Sequence, residues 1–333
     1  MTRLIGFVWV LLMALPAIAG EYTVTHLDMA KVFAGTTLLA DMSDPKNPKV
    51  VEIDFEGNIL WEFRPPRNMR GAVLDAAMLD NGNILITVHP SGIYEISRSK
   101  KVVWAHRDPE ASHDADRLPN GNTLYNLGWR KKGEDVVREV DRSGKLVWSW
   151  KGLSYDREPF ASIDSEGWMH VNSVTRLENG NTLVSMRNFN TVAEVDPDGH
   201  VVRDWTFRGK DKRTNVQTSG KIKGERNHEP EILANGHMLV ALRRPNRFVE
   251  FDLATQDIVW SWSHPGGEKE LRTNREANRL PNGNTLGSAG NKLIEVAPDG
   301  TIVWQIVAPA GTRNHRKFHK AIRIGLDGKA YGG

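Results

Sequence analysis

The sequence predicts an all-β fold, a six-bladed β-propeller, because two short signals alternate along it with no convincing amphipathic helix between them. The first signal is an Asn-Gly turn between two β-rich runs, which is typical of a β-hairpin. The second is a strand that ends in tryptophan, as in GKLVW, DIVW and TIVW. A third short run, such as TVAEVD or RFVEFD, lies between them, so each unit contains four strands.

The units follow one another in a regular order. Five Asn-Gly turns begin at Asn81, Asn120, Asn179, Asn235 and Asn282. A tryptophan follows each turn by 22 to 28 residues, at Trp104, Trp148, Trp205, Trp260 and Trp304. Trp61 marks a sixth unit that has no Asn-Gly turn upstream. Because the tryptophans recur at one place per unit, we expect them to pack between blades.

The missing first strand of the sixth unit lies at the other end of the chain. HKAIRIGLDGKAY, from His319 to Tyr331, resembles the start of a unit, with Asp327-Gly328 as its turn. The N-terminal runs TTLLADM and KVVEID supply the strands that follow. We therefore expect the C-terminal strand to join the N-terminal blade and close the ring, which removes exposed sheet edges.

The N-terminus is typical of a secretory signal. After Arg3, an apolar run of about 16 residues, shorter than the roughly 20 of a membrane span, ends in Ala17-Ile18-Ala19, a small-x-small cleavage pattern. We expect a signal peptide over residues 1–19 and a single propeller domain over 20–333, exported to the periplasm or outside the cell and not bound to a membrane. The alternative is an anchor that stays uncleaved.

Composition excludes some kinds of site. The chain has 0 cysteines, so it contains neither disulfides nor thiolate metal sites. The formal charge of +3 is small and evenly mixed with acids, which does not favour a nucleic-acid partner. A phosphate-binding Gly-rich loop followed by Lys-Ser/Thr is absent, and so is GxSxG, which argues against nucleotide-dependent transfer and against a serine hydrolase.

Candidate site residues occupy a position at which the residue type differs from one unit to the next. The position seven residues before each turn starts the innermost strand, so its occupants gather at one mouth of the channel. They are Leu74, His113, Asn172, His228, Arg275 and, in the closing strand, Lys320. In WMHVNSVTRLENGNTLVSMRN the hairpin returns Arg187 to the same rim, and His170 lies two residues before Asn172.

Imidazole and guanidinium groups therefore converge with few carboxylates nearby. We predict a pocket with His113, His170, Arg187 and His228 as its catalytic residues. Further substrate-binding residues are Asn172, Arg243 (or its neighbour Arg244), Arg275 and His319. Arginine offers planar bidentate donors to an oxyanion, and neutral imidazole is a nucleophile or base near physiological pH. The alternatives are polar strand caps and metal binding by the three histidines.

Three stretches resemble the bacterial arylsulfate sulfotransferase family: HDADRLPNGNTL, WMHVNSVTRLENGNTLVSMRN and NHEPEILANGHMLVALR. The resemblance implies a periplasmic six-bladed propeller that needs no cofactor, no metal and no nucleotide sulfate donor. It implies small-molecule substrates, an aryl sulfate donor and a phenolic acceptor, linked by a sulfohistidine at His228. It further implies that His113, His170 and Arg187 bind the sulfuryl oxygens, and that His170 is the acid and base.

The sequence leaves other interpretations open. The GKLVW-like blade ends also resemble those of quinone-cofactor and outer-membrane assembly propellers. A non-catalytic envelope scaffold or small-molecule binder is therefore the main alternative, and a metal-dependent lyase or hydrolase is the third. Larger members of the sulfotransferase family carry an N-terminal dimerisation domain and a cysteine pair, neither of which is found in this sequence. The resemblance therefore implies no oligomeric state.

Overall fold

A computed structural model describes residues 21–163, 166–207, 226–309 and 318–332. These residues form six antiparallel sheets with four strands each in radial order, a six-bladed β-propeller, which confirms the predicted fold class. Two sheets carry one additional strand. The predicted signal, residues 1–19, lies outside the described residues. None of the helices among the described residues is long and apolar enough to cross a membrane.

The four strands of each blade follow one another outward from the propeller axis. From blade 1 to blade 6, the innermost strands are Phe318–Gly325, Ala72–Met78, Ala115–Arg117, Val171–Arg176, Asn227–Ile232 and Asn274–Arg279. The second strands are Gly35–Asp41, Ile84–His89, Thr123–Asn126, Thr182–Met186, His237–Arg243 and Thr285–Ala289. The third strands are Lys49–Ile53, Gly92–Ile96, Val137–Val140, Thr191–Val195, Asn246–Asp252 and Lys292–Val296. The outermost strands are Ile59–Phe63, Val102–His106, Leu146–Trp150, Val201–Thr206, Ile258–Trp262 and Ile302–Val307.

Four short 3₁₀ helices lie between the described strands, at Arg67–Met69, Leu153–Tyr155, Arg187–Phe189 and Glu268–Leu271. Each helix follows either a second or an outermost strand. None of them therefore lies between the innermost and second strands, which the Asn-Gly turns connect. The lack of α-helices among the described residues agrees with the expectation from the sequence.

Both chain ends close the ring. The C-terminal strand Phe318–Gly325 pairs with Gly35–Asp41, with Arg323 opposite Thr37, which confirms the predicted closure. A second closure was not predicted from the sequence: Thr23–Leu27 pairs with the outermost strand of blade 6. The short strand Ala330–Tyr331 adds to the other edge of Phe318–Gly325.

The Asn-Gly turns have a second role besides reversing the chain. The glycine adopts positive φ in each turn, 86° at Gly180 for example, which other residues adopt only with strain. In blade 4 the amides of Asn179 and Asn181 both donate to Glu194 on the third strand, at 3.0 and 2.6 Å. The motif thus ties the inner hairpin to the third strand of its own blade.

The repeated tryptophans join neighbouring blades, as predicted. Trp61 donates from its indole nitrogen to the carbonyl oxygen of Arg98 in the next blade, at 2.9 Å. The same bond recurs around the ring and ends with Trp304, which donates to Phe55 of blade 1 at 3.0 Å. Arginines cover several of these rings, as Arg117 covers Trp104 at 4.2 Å. These contacts hold each outermost strand against the adjacent blade.

Candidate active site

A cavity of about 230 Å³ lies on the propeller axis, because residues from all six blades line it. Its ionisable lining consists of His113, His170, His228, His319, Arg187, Arg243, Arg275 and Glu166. Its apolar lining consists of Met42, Ala72, Leu74 and Trp129. Seven of the eight residues predicted for the site therefore face one cavity, although they come from four different blades and the closing strand.

Bulges at the start of the innermost strands position several of these side chains. In blade 6, Asn274 pairs with Ala289 but Glu276 pairs with Ser288, which leaves Arg275 as an extra residue. Blade 5 has a corresponding register shift just after His228. A bulge redirects a side chain out of the alternating pattern, and it is common beside active sites. The inner strands thereby direct polar side chains such as His228 and Arg275 into the channel.

The hairpin of blade 4 brings His170 and Arg187 together, as predicted. The backbone N–H of Arg187 donates to the carbonyl oxygen of His170 at 3.3 Å. The Arg187 guanidinium donates to the carboxylate of Glu166 at 2.5 Å. The Arg187 side chain is 8% exposed and that of Glu166 is 54% exposed. Arg187 thus reaches inward while its carboxylate partner stays at the lip of the cavity.

The tautomer of His170 follows from its hydrogen bond. His170 Nδ1 lies 2.6 Å from the carbonyl oxygen of Glu166, which can only accept, so the proton is on Nδ1. Nε2 therefore carries a lone pair, and it is buried with no hydrogen-bond partner among the described residues. Burial first, and then the positive charge of Arg187, lowers the pKa of His170 to about 3. This imidazole is a neutral base.

His113 is oriented by a small network behind the cavity. Ser112 Oγ donates to Asn126 Oδ1 at 2.6 Å and accepts from the N–H of Gly128 at 2.7 Å. Because the hydroxyl proton is used, the 3.2 Å contact between Ser112 Oγ and His113 Nδ1 has the imidazole as donor. A Cβ at Gly128 would lie 2.8 Å from His113 Nδ1, so the close approach requires glycine there.

His228 lies in the most cationic part of the cavity. Its Nε2 is 3.4 Å from a guanidinium nitrogen of Arg243, a group that can only donate, so Nε2 carries the lone pair. Burial, followed by the charges of Arg243, Arg275 and Arg187, lowers the pKa of His228 well below its ordinary value. The imidazole is therefore neutral and its Nε2 is available as a nucleophile.

His319 is held by Arg275. The Arg275 guanidinium donates to His319 Nε2 at 2.5 Å across the junction of blades 6 and 1. Burial, followed by the charges of Arg275 and Lys320, lowers the pKa of His319 well below its ordinary value. This pair fixes one guanidinium on the cavity wall next to the closing strand.

Two predicted positions differ in the structure. Asn172 is fully buried but does not line the cavity, because its amide donates to the carbonyl oxygen of Asn227 in the next blade at 2.9 Å. It joins blades instead of facing a substrate. Lys320, which we expected at the mouth of the channel, is also absent from the lining, and its neighbour His319 faces the cavity.

Lys320 lies among buried carboxyl groups of the innermost strands. Its ammonium contacts Asp75 at 3.4 Å, Glu229 at 3.1 Å and Asp114 at 2.5 Å. Burial alone would lower the pKa of Lys320, but these carboxylates and Glu276 raise it well above its ordinary value. Burial raises the pKa of Asp75 to about 6 and that of Glu276 to about 7. A cluster of buried acidic side chains around the Lys320 ammonium thus lies next to the cavity.

Trp129 also lines the cavity, although it was not predicted from the sequence. Its ring centroid lies 4.7 Å from that of His113 and 5.6 Å from that of His170, and its other neighbour is His89 at 4.4 Å. Trp129 lies outside the place in each unit where tryptophan recurs, but so do Trp150, Trp168 and Trp262, so the repeat alone does not single it out. The tryptophan gives the cavity an aromatic wall beside two imidazoles.

The cavity histidines are also possible metal ligands by residue type. Of the residues that the structure describes, Asp196, Asp198 and His200 are the group of three whose ligand atoms all lie within 4.8 Å of one another. This group lies on the third-to-fourth strand turn of blade 4, away from the cavity. The cavity histidines therefore do not have the spacing of a preformed three-histidine site.

Comparison with solved structures finds many propellers. A protein of unknown function from Bacteroides caccae is 19% identical with a TM-score of 0.56, over 82% of this chain and 93% of that one. A streptogramin B lyase is 12% identical with a TM-score of 0.54, over 93% and 94%. The β-propeller domain of Cps50 (Swd1) from Myceliophteria thermophila is 12% identical with a TM-score of 0.53, over 93% and 98%. At these identities the likeness concerns the fold alone.

Comparison with family models is more specific. A search of curated proteins found no match. A model described as outer membrane protein assembly factor BamB matches residues 132–324, which agrees with the resemblance of the blade ends to assembly propellers. The model described as arylsulfotransferase (ASST) matches residues 21–212, more than half of the chain, including His113, His170 and Arg187. The chain belongs to the arylsulfotransferase (ASST) family.

Proposed function

We propose that this protein transfers a sulfuryl group from an aryl sulfate to a phenolic acceptor through a sulfohistidine on His228, without a nucleotide sulfate donor. The observation that carries the proposal is that His228, a buried and neutral imidazole, lies among three guanidinium groups in one cavity. An uncharged nucleophile surrounded by fixed cations suits attack on an anionic ester. The match to the arylsulfotransferase model supports the same reaction class.

In the first half-reaction, His228 Nε2 attacks sulfur. The N–S bond forms, the S–O bond to the aryl group breaks, and both electrons of that bond leave with the phenolate. Arg243, which contacts His228 Nε2 at 3.4 Å, transfers its hydrogen bond to a sulfuryl oxygen when the donor binds. Arg187 and Arg275 face the same cavity and bind the other sulfuryl oxygens as their charge develops.

In the second half-reaction, His170 acts as the base. The negative charge of the bound sulfuryl group offsets that of Arg187 and raises the pKa of His170 above its value in the free protein. The Nε2 lone pair of His170 then accepts the proton of the acceptor phenol while the phenolic oxygen attacks sulfur and the N–S bond breaks. The proton then passes to solvent. Since His170 holds no proton on Nε2, the first phenolate leaves as an anion, so good donors have acidic leaving phenols. The role of His170 as an acid in the first step, expected from the resemblance, is thus not part of the proposal.

Trp129, with Met42 and Leu74, forms the apolar part of the lining and receives the aryl ring. A flat indole beside His113 and His170 can stack on a phenyl ring, an arrangement that adds favourable energy beyond simple burial. His113 donates from Nδ1 to Ser112, so its Nε2 can accept a hydrogen bond from the hydroxyl of the acceptor phenol.

The test is turnover of 4-nitrophenyl sulfate by the purified chain, with and without a phenol acceptor. We expect nitrophenol release that requires the acceptor, survives a metal chelator and is lost in His228→Ala. The matched control is His200→Ala, which removes an exposed histidine of blade 4. Loss of activity in chelator would favour the metal-dependent alternative. If the protein turns over none of the aryl sulfates, the hypothesis of a non-catalytic scaffold or binder is favoured.

We also propose that residues 1–19 are an export signal and that the protein works in the periplasm or outside the cell. The support is the pattern of the sequence, an apolar run that ends in Ala17-Ile18-Ala19. The test is N-terminal sequencing of protein recovered from the cell envelope. A mature N-terminus at Gly20 is expected, and recovery of chains that begin at Met1 in the membrane fraction would support an uncleaved anchor instead.

A further inference from the structure

A second cavity of about 280 Å³ adjoins the catalytic one and is strongly cationic. Its lining consists of Arg226, Arg243, Arg244, Asn246, Arg272 and Thr273. Arg243 lines both cavities, so they share a wall. The lining contains four guanidinium groups and no carboxylate, which makes it a strong candidate for binding an anion.

The arginines of this cavity differ from most others in the protein. Arg117, Arg176 and Arg279 each form an ion pair with a glutamate on a third strand. Within the described part of the chain, no carboxylate forms an ion pair with Arg226, Arg244 or Arg272. The repeat therefore neutralises its structural arginines internally, whereas Arg226, Arg244 and Arg272 have no ion-pair partner among the described residues, and Glu166 attracts Arg226 only at longer range.

The charges are also held close enough to affect one another. Burial first, and then the positive charge of Arg244, lowers the pKa of the half-buried Arg226. Three separate segments bring the groups together: the residue before Asn227–Ile232, the turn after His237–Arg243 and the loop before Asn274–Arg279. Gathering like charges from three segments opposes folding slightly, and an oxyanion ligand would reverse that repulsion.

We propose that Arg226, Arg244 and Arg272 form an oxyanion subsite that holds a second anionic group of a donor or acceptor, such as a carboxylate, phosphate or additional sulfate. The shared wall at Arg243 allows one molecule to place its reacting sulfuryl or phenol group near His228 and its second anion outside. The identity of this molecule as a substrate rests on the proposed function. Binding of an oxyanion to the subsite does not.

The kinetic test compares substrates that differ by one carboxylate: phenyl sulfate with 4-carboxyphenyl sulfate as donors, and phenol with 4-hydroxybenzoate as acceptors. The variant is Arg244→Gln/Arg272→Gln, and the charge-matched control is Lys101→Gln/Lys145→Gln, which removes two exposed lysines of blades 2 and 3. We expect wild type to favour the carboxylated member of at least one pair, and the variant to lose about tenfold in kcat/KM on that member only. The control should keep wild-type values on all four substrates.

The binding test uses inorganic phosphate and isothermal titration of the full chain, which needs no turnover. Wild type and the lysine control should bind one more phosphate than the arginine variant. Equal phosphate binding and equal kinetics in variant and control would overturn the proposal. A third outcome would also overturn the proposal: the arginine variant loses phosphate binding, but wild type reacts with aryl sulfates and shows no preference for carboxylated substrates. The site would then hold a free anion only. If no aryl sulfate reacts but phosphate binding is lost, the proposed function fails and the anion site stands.

Discussion

At the scale of single residues, the cavity depends on imidazoles that stay neutral. Burial and neighbouring arginines lower the pKa values of His113, His170, His228 and His319 below the ordinary range. Protonation would remove the lone pair of a nucleophile or base, so activity is lost where pH falls below the pKa of the group concerned. In the proposed mechanism the arginines therefore serve two purposes: they bind the sulfuryl oxygens and they keep the His228 imidazole uncharged.

Arg243→Gln separates these two purposes. Removing the guanidinium next to His228 takes away a cation that lowers its pKa, so this pKa rises toward its ordinary value. Less of the enzyme then has a neutral nucleophile in mild acid, and the acid limb of the pH–rate profile moves to higher pH. The measurement is single-turnover nitrophenol release across pH. If the acid limb of the pH–rate profile does not move and only the plateau rate falls, Arg243 binds a sulfuryl oxygen but does not change the pKa of His228.

Trp129→Leu tests the aromatic wall. Leucine keeps an apolar side chain but loses the stacking surface, which contributes about 0.5–1.5 kcal/mol, or roughly two- to tenfold in KM for an aryl donor. The rate constant for sulfuryl transfer should change less, because no atom of Trp129 reacts. Steady-state kinetics with aryl sulfates of increasing ring size would measure this. A fall in kcat with constant KM would contradict a binding role.

At the scale of elements, the bulged innermost strands decide which side chains line the cavity. Counting back from the Asn-Gly turns located His113, His228 and Arg275 correctly, since a strand of fixed length links each turn to the cavity. The same count selected Lys320 instead of His319, because the bulge redirects side chains and its local geometry is not visible in the sequence. Trp129 and Glu166 lie in connecting segments, where the repeat gives no guide.

The buried lysine of the closing strand stabilises the layer of carboxyl groups from several inner strands. Lys320→Met should destabilise the protein by about 3–5 kcal/mol, the usual cost of breaking a buried ion pair by removing one partner. Denaturant unfolding monitored by tryptophan fluorescence measures this loss. The control is Lys329→Met, which removes an exposed lysine of the same terminal hairpin. Equal stability of the two variants would mean that the carboxyl groups simply take up protons when the lysine is absent.

At the scale of the whole molecule, the strand that closes the ring also contributes a residue to the cavity. The closing strand supplies the innermost strand of blade 1 and also His319, and the N-terminal strand covers the outer edge of blade 6. The closing strand was predicted from its likeness to the start of a repeat. The N-terminal strand was not, because TVTHL has no turn or tryptophan signal and adds a fifth strand to a complete blade.

Truncation at residue 317 tests this account of closure. The shortened chain exposes the edge of Gly35–Asp41, and an unpaired edge strand is a template for pairing with other chains. We expect a lower unfolding midpoint and concentration-dependent association, measured by denaturation and by light scattering. A full-length chain run in parallel controls for association by other surfaces. A monomeric truncated chain with an unchanged midpoint would show that blade 1 needs only three strands.

The central claim is that His228 carries the sulfuryl group between donor and acceptor. The most direct measurement is mass spectrometry of peptides from enzyme that is quenched after mixing with an aryl sulfate in the absence of acceptor. The account predicts the mass of one added sulfuryl group on the peptide that contains His228, and its disappearance after a phenol is added. Turnover without an adduct on this peptide, or with an adduct on another histidine, would contradict it.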